Sequence, residues 1–333
     1  MTARRQALRL AVLLGVVLAA GAAWLSYGPA GDALPHPFNH DRNAVWLEHR
    51  WLEKTQAPEL VEALIAGLRS RGITYAFPHL IPFGLDGQLP PHNRDEMRRF
   101  LEVARRDAPL MKILPWVGGV RVGYRRTRPG TVRLDDLGQR QRIVAECRGL
   151  VDEGFDGVHV NIEPVNDGNV DFLALLRALR NAVGKDRVLS VAAIRPAPFA
   201  LPMAPNFVWS PGYYARVAAL VDQVVIMAYD TALPTAPLYR RYVAWAASSV
   251  TSTLADSSIR ARVLMGIPTY PETGMMHRGG VETPENALLG VVAGLRGLGG
   301  GGTFEGVALY AEWTTDAGEW AAYERIWLGR SPR

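Results

Sequence analysis

The sequence predicts an α/β fold, a (β/α)8 TIM barrel in a single domain preceded by an N-terminal membrane or signal segment, and three observations carry that expectation. Eight short runs rich in β-branched and aromatic residues recur along the chain, at 44–48, 73–77, 112–117, 157–163, 188–194, 223–229, 262–267 and 306–310. Segments of helical length separate them, among them 58–71, 169–183 and 283–295, with Leu, Ala and Val at helical spacing; Gly72 and Gly184 close the first two. No glycine-rich nucleotide loop follows the first run, which disfavours a doubly wound sheet. Eight β/α units over about 290 residues fit a closed barrel, a fold that occupies about 250 residues or more.

The N-terminus comes first in order. Arg4, Arg5 and Arg9 precede an apolar stretch at 11–25, the charged-then-hydrophobic arrangement of a secretory signal or membrane anchor. Residues 1–27 are therefore read as that segment, with Ala20-Gly21-Ala22 as a small-residue cleavage site. Export follows, either as a secreted protein or as one held on the cytoplasmic membrane by an uncleaved segment. Residues 28–42 mix Gly, Pro, His and Asp without periodicity and read as a linker, so the barrel spans 43–329.

Composition narrows the function classes. Hydrophobic residues make up 48% of the 333, enough for a large core. The net charge of +5 comes almost wholly from arginine, since Lys54, Lys112 and Lys185 are the only lysines. These arginines are scattered over presumed helix faces instead of forming one run, so a nucleic-acid partner is not expected. A lone Cys147 excludes an internal disulfide and any cysteine-rich metal site. The seven histidines (His36, His40, His49, His79, His92, His159 and His277) lack metal-ligand spacing, so neither metal nor cofactor is expected. A monomer acting on a glycan is the expected unit.

In such barrels the chemistry sits at the C-terminal ends of the strands and in the loops that follow. Those ends supply Trp46, Phe77, Trp116, Glu163, Arg195, Tyr229, Asp230, Tyr270, Tyr310, Glu312 and Trp313. Carboxylates among aromatic rings suit carbohydrate, whose C–H faces stack on rings while its hydroxyls need polar partners. The fourth run is the sharpest signal. Within Asp156-Gly157-Val158-His159-Val160-Asn161-Ile162-Glu163 the two-residue period directs His159, Asn161 and Glu163 into the barrel, with Glu163 nearest the mouth and Pro164 ending the strand. A carboxyl partly desolvated there gains a raised pKa and can donate a proton to a glycosidic oxygen.

This segment resembles the fourth-strand motif of family 18 glycoside hydrolases, the chitinase-like enzymes, in which an Asp-Gly pair is followed by two alternating aspartates and the catalytic glutamate. Further pieces fall in the family's order: Tyr75-Ala76-Phe77, Gly118-Gly119, Met227-Ala228-Tyr229-Asp230 and Gly266-Ile267-Pro268-Thr269-Tyr270. The resemblance implies substrate-assisted, retaining hydrolysis of an N-acetylhexosamine-containing polysaccharide, in which the sugar's acetamide oxygen attacks the anomeric carbon. It also implies roles. Glu163 would be the acid, Asn161 would orient the acetamide nitrogen, and Tyr229 would hold its oxygen. Asp230 and His159 would contact the sugar together with Glu312, and Trp116, Phe77, Tyr270, Tyr310 and Trp313 would form aromatic walls.

The chain departs from the family pattern where His159 and Asn161 replace aspartates and where Trp116 precedes the Gly-Gly pair. A protonated His159 would lower the Glu163 pKa. Two other readings stay open: a two-carboxylate glycosidase on a non-acetylated glycan, with Glu312, Glu272 or Asp230 as nucleophile, and a silent barrel that binds glycan at the cell surface.

Overall fold

The computed structural model describes residues 37–80, 82–121, 131–197, 208–255, 259–298 and 302–330, together with Gly15, Val16, Ala19 and Gly21. The membrane or signal segment and most of the linker otherwise lie outside the described residues. Among the described residues no helix is long and apolar enough to cross a membrane.

The strands are β1 (Asn43–Leu47), β2 (Ile73–Pro78), β3 (Lys112–Ile113), β4 (Trp116–Arg121), β5 (Thr131–Val132), β6 (Gly157–Glu163), β7 (Val188–Ala193), β8 (Gln223–Met227), β9 (Arg262–Pro268) and β10 (Phe304–Tyr310). All pair in parallel, in the order β3-β2-β1-β10-β9-β8-β7-β6-β4-β5. β3 and β4 are two halves of one barrel strand, interrupted at Leu114-Pro115. Pro115 lacks an N–H for the ladder, and the chain spans the break with Leu114 N–H donating to Ala76 O (2.9 Å) and Pro115 O accepting from His159 N–H (2.9 Å). The ring thus closes through β2–β3 on one side and β4–β6 on the other. Among the described residues eight strand positions result, as the sequence predicts, with β5 an extra short strand on the outer half of β4.

Helices clothe the outside: α1 (Arg50–Glu53), α2 (Pro58–Ser70), α3 (Arg94–Asp107), α4 (Leu137–Asp152), α5 (Val170–Val183), α6 (Pro211–Ala218), α7 (Ala236–Thr253), α8 (Pro284–Arg296) and α9 (Ala317–Ile326). Their starts are written into the sequence. Side chains of Asn93, Asp136, Asn169, Ser210, Thr283 and Asp316 accept the backbone N–H three residues on; each such cap stabilises its helix by about 1 kcal/mol. Because strands of a parallel barrel face packed side chains on both sides, β1 and β8 are buried at every position. The larger apolar layer lies between strands and helices. Cys147, on α4, belongs to it, and burial pushes its thiol pKa up to about 12, which fits a structural thiol and not a nucleophile.

A second, smaller layer fills the barrel itself: Ala44, Trp46, Phe77, Leu114, Val225, Leu264 and Ala308. It plugs the interior below the C-terminal rim. Any solvent-filled space must therefore open above it.

Candidate active site

Above that plug, a cavity of about 580 Å³ opens at the C-terminal ends of the strands, lined by Trp46, Trp116, Asn161, Glu163, Ile194, Arg195, Met227, Tyr229, Asp230, Tyr270, Glu272, Tyr310, Trp313 and Thr314. The volume suits one or two sugar rings. Two glycines shape its walls. A Cβ at Gly118 would lie 1.7 Å from Asn161 O, so only glycine lets β4 run this close to β6 beneath Asn161. Gly266 leaves room for the Tyr229 ring, whose Cε1 would be 3.1 Å from an added Cβ.

Glu163 is the last residue of β6. Burial raises its carboxyl pKa above the ordinary 4.5; a hydrogen bond from Asn161 opposes that, the Asp230 charge adds to it, and Arg195 opposes it. Burial dominates, so the protonated acid persists to higher pH than for a free glutamate. The Tyr229 hydroxyl, also buried, is held well above 10 and stays a neutral donor. Its ring stacks on Tyr310 with centroids 5.5 Å apart. The Asn161 carbonyl oxygen is buried and has no hydrogen-bond partner. Trp116, half-buried, stacks on His79 at 4.1 Å, and Trp313, beside Tyr310, is 40% exposed.

Asp230 follows β8 in a left-handed conformation, φ 57°. Burial alone would raise its pKa, but polar contacts with His277 and Tyr270 outweigh that and hold it below the usual carboxylate range. The Tyr270 hydroxyl donates to Asp230 Oδ1 at 2.5 Å. His277 experiences the reverse: burial lowers its pKa, while the carboxylates of Asp230 and Glu282 raise it to about 9 overall.

Glu163, Asn161, Tyr229, Asp230, Trp116, Tyr270, Tyr310 and Trp313, all expected at the site, meet in this one cavity. Three expected contacts do not. His159 is 0% exposed, its Nδ1 2.8 Å from Ser190 Oγ and its ring stacked on Phe77 at 4.0 Å. It sits four residues below Glu163 on β6, under the Trp46 ring. Burial pushes its pKa down to about 3, so it is neutral near pH 7 and exerts no cationic pull on Glu163. Phe77, 0% exposed, lies at the same depth. Glu312 turns outward instead, its Oε2 accepting from Trp51 Nε1 (3.1 Å) and its Oε1 3.8 Å from Arg50 on α1. As a nucleophile it points the wrong way, whereas Asp230 and Glu272 line the cavity.

His277 and Glu282 are functional-site neighbours that sequence reasoning missed. His277 and Glu282 are five residues apart and their partner Asp230 is 47 residues before His277, so no local spacing reveals them.

The profile of the glycosyl hydrolases of family 18 matches residues 68–326. Among solved structures, the spore cortex-lytic enzyme SleL of Bacillus megaterium superposes with a TM-score of 0.57 at 13% identity, over 88% of this chain and 75% of that one. A chitinase from Chromobacterium violaceum gives 0.54 at 16% identity, over 87% and 99%. The chitinase ChiB of Flavobacterium johnsoniae gives 0.52 at 14%, over 86% and 92%. At these identities the likeness is one of fold. No curated protein matches the chain. With most of the barrel inside the matched span, the chain belongs to glycosyl hydrolase family 18 and is a chitinase-like glycosidase.

Proposed function

We propose that the protein cleaves an N-acetylhexosamine-containing polysaccharide, with retention, by a substrate-assisted mechanism in which Glu163 is the general acid and base. Glu163 delivers its proton to the glycosidic oxygen as the acetamide carbonyl oxygen of the same sugar attacks the anomeric carbon. The Tyr229 hydroxyl donates a hydrogen bond to that oxygen and fixes its approach. Asn161 accepts the acetamide N–H on its carbonyl oxygen. Being an amide, Asn161 supplies no charge to the cyclic oxazolinium; the newly ionised Glu163 does so. Glu163 then takes a proton from the water that opens the ring, which restores the acid and leaves the anomeric configuration of the substrate.

The observation that carries this reading is the pairing, in one cavity, of a buried protonatable Glu163 with an Asn161 carbonyl oxygen that has no protein partner. An arriving acetamide N–H gives that oxygen the partner it lacks among the protein groups. The charged-then-apolar N-terminus supports action outside the cytoplasmic membrane, on cell-wall, biofilm or chitin-like glycan. A second reading rests on Asp230 and Glu272, which share the cavity and would serve as nucleophile on a sugar without an acetamide.

A thiazoline analogue of N-acetylglucosamine, which mimics the cyclised sugar, separates the two. Competitive inhibition, with proton NMR showing the retained anomer formed first and no cleavage of the deacetylated polymer, is the expected outcome. Equal cleavage of acetylated and deacetylated polymers without thiazoline inhibition would refute the substrate-assisted route and favour Asp230 or Glu272.

A further inference from the structure

The loop between β9 and α8 folds back over the end of β8 and places His277 against Asp230 and Glu282. The histidine ring is oriented by two contacts. Its Nε2 lies 3.2 Å from the backbone oxygen of Tyr270; a carbonyl only accepts, so Nε2 carries a proton. The ring also rests on that of Tyr270, centroids 4.0 Å apart.

Nδ1 consequently faces 3.3 Å from Asp230 Oδ1 and 3.5 Å from Glu282 Oε2, on a side chain 6% exposed. Neither contact is a hydrogen bond, and Nδ1 is left buried without a partner. One nitrogen and two carboxylate oxygens, all within 4.8 Å of one another, converge on a single point. Such a convergence needs a positive charge among the three atoms, either a proton on Nδ1 or a metal ion.

The spacing discriminates between charges. A proton shared along N–H···O⁻ draws the heavy atoms to about 2.7–2.9 Å. A tetrahedral Zn²⁺ with nitrogen and oxygen ligands about 2.0–2.1 Å away sets neighbouring ligands about 3.3–3.4 Å apart. The two separations from Nδ1, 3.3 and 3.5 Å, lie nearer the second case.

Each of the three groups is also oriented by a further contact, as ligands of a metal are. Tyr270 O fixes the imidazole. Glu282 Oε1 accepts from Thr231 N–H and Thr231 Oγ1, both at 3.1 Å, while Oε2 takes only the longer share of that N–H at 3.4 Å and faces His277. The Tyr270 hydroxyl donates to Asp230 Oδ1 itself and steadies that oxygen, leaving its second lone pair for an ion. The Asp230 side chain is 44% exposed and lines the cavity, which is the route for an ion carrying a water as its remaining ligand.

We propose that Asp230 Oδ1, His277 Nδ1 and Glu282 Oε2 bind one divalent transition-metal ion, Zn²⁺ by chemical preference for this nitrogen–oxygen set, and that the ion ties the β9–α8 loop to the cavity rim. The site stands on its own geometry, independent of which glycan the cavity accepts.

The test is titration of the chelator-treated full-length protein with ZnCl₂ by calorimetry, with bound metal counted by plasma mass spectrometry. One ion per chain at micromolar affinity or better is expected, with a raised Tm. Glu282→Gln and His277→Gln should each weaken binding by about 10–100-fold. Absence of stoichiometric binding at millimolar Zn²⁺ would overturn the proposal in favour of a proton on Nδ1. So would binding unchanged in both variants. Should a variant fail to fold, anomalous scattering at the zinc edge from wild-type crystals decides: density among the three ligand atoms supports the site, and density elsewhere rejects it.

Discussion

The lower and upper halves of β6 obey the same alternation and end in opposite environments. His159, near the strand's start, is sealed between Phe77 and the Ser190 hydroxyl. Asn161 and Glu163, two and four residues higher, reach an open cavity. At about 3.3 Å per residue, His159 and Glu163 lie about 13 Å apart along the tilted strand. Desolvation acts on both ends, but in contrary directions: it keeps His159 neutral, with a pKa near 3, and keeps Glu163 protonated above its ordinary range. The lesson is that burial alone does not make a catalytic group. A desolvated acid next to an opening can exchange its proton with substrate, while a desolvated base beneath a plug serves packing.

The largest effect that would sharpen this contrast comes from the upper half. Glu163→Gln should lower kcat by about 10²- to 10⁴-fold with a Tm close to wild type, read from reducing-end release and thermal unfolding. A variant that loses stability and keeps its turnover would reverse the assignment of the two halves. In the lower half the balance is expected to be opposite: His159→Ala leaves a cavity and removes the Nδ1–Ser190 hydrogen bond, while the Ser190 hydroxyl keeps its bond to Gln223 Oε1, costing about 2–4 kcal/mol in urea unfolding, with kcat of the folded protein little changed.

The pH dependence of stability follows from the same buried histidine. His159 has an ordinary pKa of 6.5 in the unfolded chain and about 3 when folded, so between these values the unfolded state binds the extra proton. Its contribution is whole above pH 6.5 and is lost as pH falls toward 3, at about 1.4 kcal/mol per pH unit. Urea unfolding at pH 7 and pH 5 should therefore differ by about 2 kcal/mol from this group, a difference that His159→Gln removes. The smallest effect belongs to Glu312, directed at Trp51 and Arg50: Glu312→Gln should leave kcat near wild type and cost about 1 kcal/mol or less in unfolding. A collapse of activity in that variant would restore Glu312 to the cavity.

Much of this was legible in the sequence because it is periodic. Residues 157–163 match β6 at both ends, and the caps at Asn169 and Thr283 mark α5 and α8 at their start. The break at Leu114-Pro115 was missed, since Pro115 inside an apolar run leaves the two-residue period intact while removing a donor. Inward direction was also legible, and depth was not. Alternation assigns His159, Asn161 and Glu163 to one face, but the plug of Trp46, Phe77 and Leu264 that separates them comes from three other strands. Glu312 failed for a related reason: it follows a strand end, yet the turn after Tyr310 and the position of Trp51 decide where it points. The Asp230–His277–Glu282 cluster depends on a loop returning to another strand, a contact with no local trace.

The central claim is that Glu163 is a desolvated proton donor at an open mouth, and its own protonation is the most direct measure of that. Carbon-13 labelling of glutamate carboxyls, followed by NMR from pH 3 to 8, would assign Glu163 as the resonance absent from Glu163→Gln. The account predicts a titration clearly above the ordinary glutamate value of 4.5. A midpoint at or below that value would contradict it.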